Sequence, residues 1–124
     1  MAHCYCLENN GSFNMVAGEC GPITFHMVYG QSKIPFYING YNAEFTAVDC
    51  TNQDTVQISK KPSDITVIDD LIIVKLEPSD TNKLIPGKYL YQLEIWSDDT
   101  GPEVVSEGSI FVRRNYKGVG TVEL

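Results

Sequence analysis

Between Gly87 and Ser97 the chain alternates with a period of two. Tyr89, Tyr91, Leu93 and Ile95 lie on one side, and Gln92 and Glu94 on the other. Such a stripe is buried by a strand with one face in a core, whereas a helix would smear it around its axis. The pattern recurs. Ile72, Val74 and Leu76 alternate with Lys75 and Glu77, and Ala43, Phe45 and Ala47 with Asn42, Glu44 and Thr46. Ile23, Phe25, Met27 and Tyr29 likewise face away from Thr24, His26 and Val28. Gly, Pro, Asn and Asp clusters cut these runs, as at Asn39-Gly40, Lys60-Lys61-Pro62-Ser63, Asp69-Asp70 and Asp98 to Pro102. No strong helical pattern appears. The expected strands are residues 12–17, 22–29, 33–38, 41–50, 55–59, 65–68, 71–77, 87–97 and 103–113. Turn signals every 8–12 residues or so favour a sandwich or barrel. The fold expected is all-β, an immunoglobulin- or fibronectin-like antiparallel β-sandwich of seven to nine strands.

A chain of 124 residues holds one domain with a real core. The core is expected in residues 12–114, flanked by an N-terminal arm (1–11) and a C-terminal arm (115–124). Sixteen acidic against nine basic residues give a net charge of −7, which repels phosphate and argues against nucleic acid or anionic lipid as a partner. No apolar stretch approaches the roughly 20 residues of a membrane span. Residues 1–8 have neither a basic start nor an apolar run, so no secretory leader is read there. The four cysteines, Cys4, Cys6, Cys20 and Cys50, are then expected as free thiols, with Cys20 and Cys50 suited to a core.

Residues 76–91 stand apart. A strand ends at Glu77, and Ser79 or Asp80 can cap one helical turn through a side-chain oxygen. Thr81 follows, and Leu84 can dock that turn onto the core. Pro86-Gly87 reverses the chain, and Tyr89 opens the next strand two residues before Tyr91. This is the layout of a tyrosine corner, in which a Tyr near the start of a late strand bonds back to the crossover between sheets. An antibody domain would place a cysteine where Tyr91 stands, so the inter-sheet disulfide is missing.

The same segment carries a family resemblance. Val74-Lys75-Leu76-x-Pro78-x-Asp80-Thr81-x-x-Leu84-x-Pro86-Gly87-x-Tyr89-x-Tyr91-x-Leu93 resembles the N-terminal domain of the baseplate upper protein of phages of Gram-positive bacteria, and small Ig-like phage proteins related to it. Phe13-x-Met15-Val16-x-Gly18, Pro22-Ile23-Thr24-Phe25, Ala43-x-Phe45-x-Ala47-x-Asp49 and Glu107-Gly108-Ser109-Ile110-Phe111-Val112 extend it over residues 12–115 or so. The resemblance implies a non-enzymatic virion structural protein, made in the host cytoplasm and acting through contacts with other virion proteins, as a homo-oligomer or on a symmetric particle. A tail or baseplate module is the first expectation. With no fibre or coiled coil following the sandwich, capsid decoration or a head-fibre role is an alternative. A host-surface carbohydrate-binding module is another.

Assembled catalytic motifs are absent. There is no Gly-x-Ser-x-Gly elbow, His-Glu-x-x-His pair or phosphate loop, and the two histidines, His3 and His26, have no partner motif. No enzyme activity and no cofactor are expected. His3, Cys4 and Cys6 cluster, but Cys-x-Cys without a second pair is poor zinc spacing. Asp69-Asp70 and Asp98-Asp99 read as turn formers rather than calcium ligands. Interface candidates are Trp96, which shares a face with Gln92 and Glu94, and the end of the last strand, with Arg113, Arg114, Tyr116 and Lys117. Tyr37 and Tyr41 are further aromatics of this kind.

Overall fold

A computed structural model describes residues 2–4, 12–17, 21–29 and 34–113. These form two packed sheets built from ten strands: β1 (Ala2–Cys4), β2 (Phe13–Val16), β3 (Gly21–Tyr29), β4 (Ile34–Pro35), β5 (Asn42–Asp49), β6 (Val56–Lys60), β7 (Ile65–Ile68), β8 (Leu71–Leu76), β9 (Gly87–Trp96) and β10 (Glu103–Arg113). A 3-10 turn (Pro62–Asp64) and one turn of helix, α1 (Pro78–Thr81), complete the described elements. The expected count of seven to nine strands is exceeded by the short β1, from a segment expected as an arm.

One sheet runs β1-β3-β8-β7, with β4 also on β3; the other runs β2-β10-β9-β5-β6. All pairings are antiparallel except that of β2 with β10, which is parallel. The described structure is thus a β-sandwich. The two inner faces interdigitate. Phe25, Ile72 and Val74 from one sheet meet Phe45, Tyr91, Leu93 and Ile110 from the other, all essentially inaccessible to water. Phe45 stacks on Tyr91 with ring centroids 5.6 Å apart, and Phe25 tilts against both.

The strict alternation of β5, β8 and β9 survives intact because each packs one face on the core and turns the other outward. Strand β3 departs from it. Phe25 and Met27 are buried inward, but Val28 is buried too and Tyr29 is exposed. The reason is a change of neighbours. As far as His26 the strand pairs with β8; from Met27 it lies between β1 and β4. Strand β4 thus takes over from β8 on one side of β3, where the Asp69-Asp70 turn ends that strand. The Met27 and Ile38 amides donate to the Asp70 and Asp69 carbonyls, each at 2.7 Å.

Two turn signals meet at this junction. Gly40 (φ 89°) sits at the third position of a turn closed by the Tyr41 amide and the Ile38 carbonyl, which is a type II geometry that glycine adopts without strain. Asp69 (φ 54°) occupies the left-handed region that short polar side chains tolerate. The Asn39 side-chain oxygen accepts the Asp69 amide at 2.9 Å and so ties the turns together.

Candidate functional site

The segment from Leu76 to Tyr91 bridges the two sheets. The helical turn α1 begins after Glu77, which is the capping residue instead of Ser79 or Asp80. Asp80 instead sits at the third helical position and accepts the Glu77 backbone N–H at 2.7 Å. Glu77 is extended while Pro78 starts the helix, a position where a missing N–H costs nothing. The Asp80 carboxylate also receives the Lys60 ammonium at 2.7 Å, fastening α1 to the edge strand β6. Burial pushes the Asp80 carboxyl upward, but the Lys60 and Glu77 hydrogen bonds and the Lys60 and Lys83 charges outweigh it and hold the group below the usual carboxylate range.

Thr81 is fully buried at the end of the turn, and Leu84 is buried in the core cluster. Pro86 is exposed, and Gly87 opens β9 opposite Val112. The Tyr89 hydroxyl donates to the Ile85 carbonyl at 2.6 Å. Tyr91 points into the core, and its hydroxyl shares a 3.1 Å hydrogen bond with the buried Ser106 Oγ. Of the seven residues singled out here, Asp80, Tyr89 and Tyr91 make bonds within the crossover and the core, Thr81 and Leu84 are buried, and Pro86 and Gly87 lead into β9.

The interface candidates are dispersed. Trp96 is half-buried at the end of β9, opposite Asn42. Arg113 is exposed at the end of β10, and its carbonyl accepts the Ala17 amide at 3.1 Å. Arg114, Tyr116 and Lys117 lie outside the described residues, as do Cys6, Cys20 and most of both expected arms. Cys50, expected in the core, is half-buried at the end of β5 with a free thiol. Among the described residues, no group of three or more His, Cys, Asp or Glu is placed to hold a metal. Asp69 and Asp70 are engaged instead by Asn39 and by His26, whose Nε2 contacts the Asp70 carboxylate.

Two further surfaces are present, and of their residues only Tyr37 and Tyr41 were named from the sequence as interface aromatics. The first is the corner between β3 and β4. Tyr29 and Ile34 are cross-strand partners, 55% and 59% exposed. Phe36 stacks on Tyr29 with ring centroids 4.9 Å apart and meets Tyr41 edge-on. Tyr37, beside it, is 64% exposed. Tyr29 and Ile34 are two of the seven exposed large hydrophobic residues described, and Tyr37, adjacent in sequence to Phe36, is a third. Tyr29 was legible only as a member of the inward face of β3, and the switch of strand partners exposes it.

The second is a cleft of about 650 Å³ on the outer face of the β2-β10-β9-β5-β6 sheet. Its floor is laid by Thr46 and Val48 of β5, Leu90 and Gln92 of β9, and Glu107 and Ser109 of β10. Gln53 contributes from the β5–β6 loop. Asp49 shapes that loop: one carboxylate oxygen accepts both the Thr51 hydroxyl at 2.7 Å and the Thr51 amide at 2.8 Å. These bonds hold the Asp49 carboxyl below its ordinary range. Cross-strand register is what assembles the cleft, since its residues come from distant parts of the sequence.

No family model matches the chain, and no curated protein matches it. Among solved structures, CopC from Methylosinus trichosporium OB3b is similar, with a TM-score of 0.55 and 9% identity, covering 92% of this chain and 95% of that one. Murine CRIg aligns with a TM-score of 0.35 and 10% identity, over 93% of this chain and 97% of that one. At 9% identity the likeness to CopC shows a shared fold alone.

Proposed function

We propose that this chain is a non-enzymatic interaction module, and that its setting is a bacteriophage virion, where it acts as a tail, baseplate or accessory adaptor through protein–protein contacts. The observation that carries the first part is the apolar corner of Tyr29, Ile34 and Tyr37. Large, partly exposed apolar side chains near one another mark interaction surfaces, and tyrosines are favoured anchors because they bury much area at little entropic cost. The second part rests on the motif resemblance along residues 12–115. The acidic balance of the chain suits a protein partner better than a polyanion.

The test is the mass of the purified protein by light scattering, alone and after mixing with phage particle components. A stable symmetric oligomer, or incorporation into tail or capsid, supports the reading. A strict monomer that joins nothing overturns it.

A further inference from the structure

We infer that the outer face of the β10-β9-β5 sheet is a binding site for a neutral oligosaccharide, seated in the cleft over Gln92. The inference goes beyond the interaction role proposed above and does not depend on it, because the cleft and the Tyr29–Tyr37 corner lie on different sheets.

Register builds the site. Glu107, Gln92 and Thr46 stand in one row across β10, β9 and β5. Neighbours in such a row are about 4.8 Å apart. Ser109, Leu90 and Val48 form the next outward row, about 7 Å along the strands. The cleft thus presents a polar rail beside an apolar one. The polar rail offers a carboxylate, a carboxamide and a hydroxyl, and Gln53 adds a second carboxamide from the loop. Among the described residues, the side chains of Thr46, Gln53, Gln92, Glu107 and Ser109 make no hydrogen bond or ion pair with the rest of the protein. Their donors and acceptors are available to a ligand. Leu90 and Val48 are half-buried and give a floor for C–H groups.

A sugar ring has this same division, with hydroxyls around its edge and C–H bonds on its faces. Charge narrows the class. No lining residue is cationic and one is an acid, so an anionic sugar or phosphate finds repulsion and no partner. Lys88 stands one row beyond Leu90, outside the lining. A volume near 650 Å³ falls within the range of small-ligand sites. Trp96 and Glu94, on the same face, do not line the cleft.

The test is an amide-resolved NMR titration of the full chain. The probes are neutral hexasaccharides of glucose, galactose and N-acetylglucosamine, an acidic hexagalacturonate, and a Ser/Thr/Gln-rich hexapeptide. The expected result is that a neutral sugar saturates with a Kd below about 1 mM. It moves the Gln53 and Gln92 side-chain amides and the backbone of residues 46–48, 90–92 and 107–109. Gln92→Ala and Glu107→Ala, both exposed and free of internal bonds, each raise that Kd by about tenfold. Tyr37→Ala leaves it unchanged. The inference is overturned if no neutral sugar moves these signals at about 10 mM. Equal or tighter binding of hexagalacturonate, saturation by the peptide alone, or shifts confined to other surfaces also overturn it. Failure here leaves the particle-incorporation result untouched, since that result is read without any sugar present.

Discussion

The Tyr89 hydroxyl donates to the carbonyl of Ile85, four residues earlier, at 2.6 Å. The bond closes the loop between α1 and β9, on the segment where the chain crosses from one sheet to the other. Tyr89→Phe keeps the ring and removes only this bond. The expected loss is about 1 kcal/mol, seen as a lower urea midpoint with an unchanged slope. Burial raises the Tyr89 phenol above its ordinary 10.0, with help from the Asp49 charge. The unfolded chain therefore loses this proton first as pH rises. The contribution of Tyr89 is intact below pH 10 and falls away as pH climbs through the raised folded value. The Tyr89→Phe variant loses that part of the alkaline dependence.

Asp80 joins α1 to β6 through Lys60, with both side chains largely out of water. Asp80→Ala removes the ion pair and leaves the Glu77 amide and Lys60 unmatched. The expected cost at neutral pH is about 2 kcal/mol in urea unfolding. Because the folded carboxyl titrates below its ordinary 3.8, the native state binds its proton later than the unfolded chain. The stabilisation is present above pH 3.8 and disappears as pH falls through the folded value. The gap between wild type and variant should therefore shrink in acid; a gap constant from pH 7 to about 2 would refute the pairing.

Tyr91 and Ser106 share a hydrogen bond inside the core. Tyr91→Phe leaves the Ser106 hydroxyl without that partner, and Ser106→Ala does the same to the tyrosine. Each single change is expected to cost about 1–2 kcal/mol, and the double variant less than their sum. A double-mutant cycle by chemical denaturation measures the coupling. Strict additivity would show that the two groups do not act on one another.

Tyr37 lies on the apolar corner and bears no core load. Tyr37→Ala should leave the urea midpoint within about 0.5 kcal/mol of wild type in stability terms. On the proposed function it should weaken self-association or particle incorporation by about tenfold or more, read by light scattering. A loss of stability with no change in association would assign the ring to packing instead.

Much of the fold was written in local pattern. The alternation of Ala43, Phe45 and Ala47, of Ile72, Val74 and Leu76, and of Tyr89, Tyr91, Leu93 and Ile95 specified which side chains form the core. It did so because a strand's side chains point to opposite faces and only one face here meets the other sheet. The Asn39-Gly40 and Asp69-Asp70 turns were legible for a similar reason, since few residues accept those backbone angles. The capping of α1 was less so: a polar residue at any of several adjacent positions satisfies the motif, and the chain uses Asp80 one turn in, not at the start.

The candidate sites were not written locally. Val28 is buried and Tyr29 exposed because β3 exchanges β8 for β4 at Met27, a change of partner that no window on β3 contains. The cleft joins Thr46, Gln92 and Glu107, which are neighbours only through strand register. Sequence alone determined that this chain builds alternating strands with one apolar face, because side-chain period is a property of the backbone. Tertiary structure alone decided which strands lie side by side, and hence which polar groups converge, because register depends on pairing between segments far apart in the chain.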